Sequence, residues 1–434
     1  MKNGSIASRG LSQQDAFFVA YQEESAVAMQ LGVEFEVAGA LEREDLERCL
    51  KRLVELWPQL GQTVHRRAFG LAWQGPARLG QMLAVAADGG SLERWRNTPI
   101  DPFREPSFQL LWIPGRERGV LAFRAHHSTL DGQALAWVCL RALHILAGGE
   151  GTAGPDGGRS RDGASFGQLW RQGHLGPMWR YLRWLQEESR RGRSARLAVR
   201  ETAPGDVGVC SRRLEGARWE ELLERSRGCG VQSTWLCCAA WMRTLGGWNA
   251  ERGVDNPLVS LELPVSIRSG RPGSGGEAPE LGNGVSPLLL FADTARPLEE
   301  IARDLRRQFV TGVRQRSHLA VPTFTAAGRY LPWRLFRRLA CDTVYSGFAT
   351  SHFTWMRSPV DRDAIARLSG GRFELLDHRF YGPVCLHMGA ALQALETGWG
   401  LQLSITHRLN ALPAADAGAL ADRLLAELGS GRSQ

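Results

Sequence analysis

Lysine is almost absent from this chain of 434 residues, since Lys2 and Lys51 are its only two, and long apolar runs are missing as well. No run approaches the ~18 apolar residues that a membrane span requires. The opening "MKNGSIASRGLSQQDAFF" lacks the apolar core of a secretory signal. We therefore expect a cytoplasmic protein, and we expect it to be a monomer.

The chain also lacks several signatures of chemistry. Its eight cysteines show no CxxC spacing, and no cluster of Cys, His or Glu completes a metal site. There is no GxxxxGK[ST] phosphate loop. The one GxSxG string, "GASFG" around Ser165, follows a glycine-rich stretch instead of the strand that a serine hydrolase needs. We predict no metal, no bound cofactor and no acyl-serine at Ser165.

The positive charge does not have the pattern of a nucleic-acid-binding protein. The formal net charge is +8 and the isoelectric point is near 9.4. The arginines alternate with acids, as in "LEREDLERCLKRLVEL", and no basic block is interleaved with stacking aromatic residues. We expect no nucleic-acid partner, and only a modest preference for anionic partners such as phosphates or an acidic protein.

Length and periodicity predict two α/β halves. A chain of 434 residues exceeds the usual limit of a single core. We predict an N-terminal half over 1–150, a linker and crossover helix over 151–204, and a C-terminal half over 205–434. Helical spacing of apolar residues predicts helices at 41–57, 217–230, 233–248 and 298–314. Alternating or apolar runs predict strands at 30–39, 107–115, 119–127, 257–268 and 284–292, and a hairpin at 386–408.

The segment "MWRYLRWLQEESRRGRSARL" follows the glycine-rich stretch 147–165 and combines an apolar stripe with two tryptophans and several arginines. We interpret it as a crossover helix that packs across the two halves. Docking to a membrane surface is the alternative interpretation, and it allows a weak membrane association.

The segment "LAFRAHHSTLDGQALAWVCLRAL" places two histidines between a strand pattern and a helix pattern. Successive side chains of a strand point to opposite faces, so His126 and His127 cannot reach the same site. One faces a core and the other can face a cleft, where a neutral imidazole suits general-base catalysis. Asp131 could cap the helix or pair with an arginine. Gly132 is predicted to adopt a backbone angle that other residues resist.

The string "HHSTLDG" is the HHxxxDG motif, and the chain resembles the CoA-dependent acyltransferase superfamily that carries it. That superfamily includes nonribosomal peptide condensation domains, plant-type acyltransferases and wax ester synthase/diacylglycerol acyltransferases. The resemblance extends over "LSQQDAFFVAY", "VELWPQLGQTV", "TPIDPFREPSFQLLWI", "PVSIR" and "LGNGVSPLLL". It implies an α/β fold of two chloramphenicol-acetyltransferase-like halves, which form a V-shaped pseudo-dimer with a tunnel along the seam.

The resemblance also implies the roles of individual residues. His127 would deprotonate the acceptor, while His126 would be structural. Asp131 would form a salt bridge with Arg268 and hold the motif loop, and Gly132 would keep the donor passage open.

Further residues become candidates for the tunnel lining, namely Asn283, Ser351, His352 and Trp355. Where wax ester synthases carry a Ser-Asn-Val-Pro-Gly stretch, this chain has "TSHFTWM" at 350–356. The phosphopantetheine thioester of the donor, on CoA or on a carrier protein, would be the substrate handle.

Three functions remain open at this stage. The leading hypothesis is a stand-alone condensation enzyme of natural-product biosynthesis, which joins a thioester-bound acyl group to an amine or alcohol. Its partners would be an acyl or peptidyl carrier protein and a small-molecule acceptor. The second hypothesis is a lipid O-acyltransferase that acts at a membrane surface. The third is a non-catalytic docking module on the same fold.

Overall fold

The computed structural model describes residues 10–39, 41–67, 70–86, 88, 90–149, 176, 179, 183, 194–268, 281–342 and 349–429. The "GASFG" string and nearly all of the predicted crossover helix lie outside these residues. Trp179 and Arg183 of that segment are described as helical and exposed. In the described part of the chain, no helix is long and apolar enough to cross a membrane.

The N-terminal half begins with a helix and continues as mixed α/β structure. Its elements are α1 (Gln13–Ser25), β1 (Gln30–Gly39), α2 (Arg43–Leu56), β2 (Thr63–Arg66), β3 (Leu71–Gln74), β4 (Leu83–Val85), α3 (Gly90–Asn97), β5 (Phe108–Ile113), β6 (Arg118–His126) and α4 (Gly132–Leu146). Strands β1, β5 and β6 lie where the alternating and apolar patterns predicted them.

The C-terminal half contains more elements in the same style. They are β7 (Val207–Glu215), α5 (Ala217–Gly228), α6 (Ser233–Ala250), β8 (Leu258–Ser266), β9 (Val285–Asp293), α7 (Leu298–Arg314), α8 (Ala320–Ala327), α9 (Trp333–Asp342), β10 (Ser351–Arg357), α10 (Arg362–Leu368), β11 (Phe373–Tyr381), β12 (Ala390–Thr397), β13 (Gly400–Arg408) and α11 (Ala414–Gly429). The predicted helix at 298–314 matches α7, and the predicted hairpin is β12–β13, which turns between Thr397 and Gly400.

Each half has a mixed sheet covered by helices. The N-terminal sheet has the strand order β11-β1-β6-β5-β4, and the C-terminal sheet has the order β7-β13-β12-β10-β8-β9.

The apolar periodicity of helix α2 predicted which of its faces is buried. Its stripe of Leu46, Cys49, Leu50 and Leu53 is at most 1% exposed and packs against the N-terminal sheet, while its other face carries charged residues. Burial of this apolar stripe stabilises the helix.

Strand β11 connects the two halves in a way that the sequence analysis did not predict. It belongs to the predicted C-terminal half by position, yet it pairs antiparallel with β1 along Gly32–Tyr381 to Gly39–Phe373. Helix α10 accompanies it, and Ile365 is buried in the N-terminal core. The chain then returns to the C-terminal sheet through β12. The two halves are therefore joined by a shared sheet as well as by contacts across the seam.

Candidate active site

A cavity of about 580 Å³ lies between the two halves. The N-terminal half lines it with side chains of α1, the start of β1, the segment after β6 and the start of α4. The C-terminal half lines it with β8, β9, β10 and β12 and with the segment that follows β11. The cavity is therefore enclosed by both sheets, as expected for a tunnel along the seam.

His127 lies in this cavity, directly after the last residue of β6. Its main-chain N–H donates to the carbonyl of Met29, 2.7 Å away, which ties the motif loop to the segment before β1. Its imidazole ring is parallel to the phenyl ring of Phe18 of α1, with centroids 3.9 Å apart and planes at 2°. The ring is therefore held between a fixed backbone and an aromatic face.

His126 points the other way, as strand alternation predicted. Its side chain is fully buried, and its Nδ1 lies 2.8 Å from the hydroxyl of Ser128 and accepts from the Ser128 main-chain N–H at 3.1 Å. Burial lowers the pKa of His126 to about 3, with a smaller contribution from His127. His126 is thus a neutral core residue that shapes the loop.

Asp131 is fully occupied by structural contacts. It is the N-cap of α4, where its Oδ1 accepts from the N–H of Ala134 at 2.9 Å. Its Oδ2 accepts from the N–H of Gly284 at 2.8 Å and lies 2.7 Å from Nη1 of Arg268. The side chains of Asp131 and Arg268 are 1% and 9% exposed, so the structure brings the predicted pair together as a buried ion pair between the halves.

The "LGNG" segment before β9 has a specific backbone requirement. Gly282 adopts a left-handed φ of +104°, which disfavours other residues. A Cβ atom on Gly284 would lie 2.5 Å from Cγ of Arg268, so only glycine allows this close approach. Arg268 also donates from Nη2 to the Gly282 carbonyl at 3.0 Å. Two glycines therefore let the segment close around the guanidinium group.

Asn283 lies beneath the loop that carries His127 instead of in the cavity lining. Its Nδ2 donates to the main-chain carbonyl of His127 at 2.5 Å and to Oδ1 of Asp15 at 2.7 Å. Asp15 also accepts from the Asn283 N–H at 3.0 Å and from the hydroxyl of Ser12 at 2.6 Å. Asp15, which the sequence analysis did not single out, thus anchors α1 to the loop that supports His127. Burial is the main cause that raises the pKa of Asp15.

The environment keeps His127 neutral. Burial lowers the pKa of His127 to about 4, although its own main-chain carbonyl, the Asp131 carboxylate and the Asn283 amide raise it to a smaller extent. His352 lowers it further by charge repulsion. At neutral pH the ring is therefore a free base that can accept a proton.

The prediction for the backbone of Gly132 is wrong. Gly132 is the first residue of α4 and has no positive φ. Space is the constraint here, because a Cβ atom would lie 2.9 Å from Sδ of Met356 and 3.1 Å from Cζ of Phe380. Gly132 lines the cavity where these two side chains approach it, so a larger residue would narrow the cavity.

The tunnel candidates on β10 divide between two faces. Ser351 is fully buried, donates to the carbonyl of Ala390 at 2.6 Å and accepts from the indole N–H of Trp241 at 3.1 Å. It faces the C-terminal core, so its predicted place in the lining is wrong. His352 and Trp355 do line the cavity. Alternation along the strand separates Ser351 from His352. Trp355 lies on the Ser351 side of the strand, where it packs against the C-terminal core and also reaches the cavity.

No protein-family model matches the chain. No curated protein matches it either.

Solved structures do match, over nearly the whole chain. The first condensation domain of the calcium-dependent antibiotic synthetase is 18% identical, with a TM-score of 0.70, covering 98% of this chain and 96% of that one. The starter condensation domain of rhizomide synthetase, solved with C8-CoA and Leu-SNAC, is 16% identical, with a TM-score of 0.67 and coverages of 98% and 94%. The condensation domain of the monacolin K polyketide synthase is 14% identical, with a TM-score of 0.68 and coverages of 99% and 98%.

The fold and the seam cavity define the architectural class of the chain. It has the two-lobed α/β fold of the condensation domains, which confirms the fold that the sequence resemblance implied. At these identities the similarity concerns the fold alone.

Proposed function

We propose that the protein is a condensation-type acyltransferase, which moves an acyl group from a thioester donor to an amine or hydroxyl acceptor. The observation that supports it most directly is a neutral histidine, His127, placed in the seam cavity and held by the ring of Phe18. A free base of this kind can activate an acceptor without a covalent intermediate.

In the proposed reaction, the acceptor nitrogen or oxygen attacks the carbonyl carbon of the thioester. His127 takes the proton of the acceptor on Nε2, because its Nδ1 is buried away from the cavity. The C–S bond then breaks, and the protonated imidazole returns the proton to the leaving thiolate. The products are an amide or ester and a free thiol, so protons and electrons balance.

Asp131 supports this assignment by its own contacts. Its carboxylate accepts two main-chain N–H groups and pairs with Arg268, so no oxygen is free to act as a base. Its role is to fix the start of α4 and the loop that carries His127. The resemblance to HHxxxDG enzymes led to the same division of roles.

The donor handle is proposed to be phosphopantetheine, on CoA or on a carrier protein, because a thioester deep in a cavity has to be delivered on a thin arm. Neighbours of the same fold belong to nonribosomal peptide and polyketide synthetases. A place in natural-product biosynthesis with a carrier-protein partner is therefore part of the proposal. A membrane-surface lipid acyltransferase rested on the segment from 178, which lies almost wholly outside the described residues.

The test replaces each histidine of the pair in turn. Thiol release is measured in single-turnover assays with a panel of acyl-CoA and carrier-bound acyl donors and with primary amine or alcohol acceptors. His127→Ala is expected to lower the rate by a factor of ~10² to 10⁴ with an unchanged melting temperature. His126→Ala should lower the melting temperature more than the chemical step, because it removes a buried packing residue. A wild-type rate in His127→Ala would refute the base assignment, and no turnover with any donor would favour the docking module.

A further inference from the structure

Strand β8 presents a charged side chain to the otherwise largely apolar cavity. Its residues alternate, so that Leu261 and Leu263 are buried in the C-terminal core while Glu262 and Pro264 line the cavity. Glu262 is only 8% exposed. The apolar alternation of β8 does not account for a carboxylate on the face that lines the cavity.

Glu262 differs from the other carboxylate in the lining. Asp131 is neutralised by Arg268 at 2.7 Å, whereas no arginine or lysine of the described residues pairs with Glu262. Its polar neighbour is His352 of β10, whose Nδ1 lies 3.7 Å from Glu262 Oε1, which is too far for a hydrogen bond. His352 Nε2 in turn lies 2.6 Å from the hydroxyl of Thr354.

A buried carboxylate that no arginine or lysine neutralises costs free energy. That cost is offset when a ligand supplies the partner, because charges attract strongly in a cavity from which water is largely excluded. The charge of Glu262 also acts on another side chain of the lining, Cys385. Burial raises the pKa of Cys385 to about 12, and the Glu262 carboxylate contributes to the rise.

We propose that Glu262, with His352 beside it, forms a subsite that binds a cationic amine carried by the substrate. This rests on the proposed function in one respect, namely that the cavity is where the acyl-transfer substrates bind. The surrounding wall is apolar, with Pro264, Pro287, Trp355 and Met388, so the amine would be attached to an aryl or alkyl body. The subsite would select among substrates without taking part in proton transfer.

The experiment measures binding and needs no turnover, so it separates this proposal from the proposed function. Tryptamine and tryptophol share one indole body and differ by an ammonium in place of a hydroxyl group. Their dissociation constants are measured calorimetrically on the wild-type protein, on Glu262→Gln and on Glu220→Gln. The last variant is the matched control, because Glu220 is exposed on α5 and does not line the cavity.

The wild-type protein is expected to bind tryptamine roughly tenfold or more tightly than tryptophol, as for a hydrogen bond between charged groups. Glu262→Gln should abolish this preference, and Glu220→Gln should retain it. Equal binding of both compounds, binding of neither, or a preference that survives in Glu262→Gln would each overturn the subsite. If the preference is found but no acyl transfer occurs with any donor, the proposed function fails and the subsite stands.

Discussion

The imidazole of His127 lies flat against the phenyl ring of Phe18, 3.9 Å between centroids, although the two residues come from different elements of the N-terminal half. Phe18 belongs to α1, which Asp15 anchors to Asn283 and so to the main chain of His127. One helix therefore holds both the ring and the backbone of the proposed base.

We expect Phe18→Leu to lower kcat by up to about tenfold, since an aromatic pair contributes roughly 0.5 to 1.5 kcal/mol to holding the ring. The melting temperature should change little, because leucine still fills most of the space. Phe309→Leu is the matched control, because it removes the contact of Phe309 with Trp235 in the C-terminal core, 5.0 Å between centroids. Steady-state kinetics that show the same kcat in both variants would contradict a positioning role for Phe18.

The ion pair of Asp131 and Arg268 should behave as a structural unit. Asp131→Ala leaves a buried guanidinium without its partner, and we expect a loss of about 3 to 5 kcal/mol in the free energy of unfolding. Urea denaturation measures it. The control is Glu47→Ala, which breaks the exposed pair with Arg43, 63% and 54% exposed, and should cost at most about 0.5 kcal/mol. Equal losses in both variants would show that the buried pair has no special role.

The sequence predicted local features of the site better than its long-range contacts. Strand alternation was enough to separate His126 from His127, because it depends only on neighbouring residues. The contact of Asp15 with Asn283 joins positions 268 residues apart, and no periodic pattern encodes it. The signal that could have found it was already present, since Asp15 lies in the quoted opening "LSQQDAFFVAY" and Asn283 in "LGNG".

Two other errors have the same origin. Ser351 and His352 are adjacent, and only the pairing of β10 with β8 and β12 decides which one faces the cavity. Likewise, the residues of β11 have the pattern of an ordinary strand. They do not indicate that the chain returns to the N-terminal half, where β11 pairs with β1. The glycine at 132 was correctly singled out, but the reason is the space beside Met356 and not its backbone angle.

The pH dependence of kcat/KM should report the lowered pKa of His127. The base works when deprotonated, and burial lowers its pKa to about 4, so the active form is fully populated above about pH 5 and is lost as the pH falls through 4. We therefore expect a flat profile from pH 5.5 to 8 with an alcohol acceptor, because its hydroxyl group does not titrate in this range. Circular dichroism at each pH controls for unfolding. An acidic limb centred near 6.5 in the folded protein would mean that the base is solvated and that the cavity is open to water.

Binding of the donor should depend on salt. Nearly all positive charge is arginine, which binds phosphates and carboxylates through paired hydrogen bonds. Arg357 lines the cavity and yet is 80% exposed, which places it at the mouth, where a carrier protein or a CoA phosphate would arrive. We favour a carrier-bound donor, because surface arginines can steer an acidic carrier and such steering weakens with salt.

The apparent donor affinity should fall steeply between low and physiological ionic strength. An N-acetylcysteamine thioester of the same acyl group is the control, since it has neither phosphate nor carrier and should respond little to salt. Comparable kcat/KM values for acyl-CoA and the carrier-bound donor, or a carrier reaction indifferent to salt, would reject this preference and support the lipid-type acyltransferase.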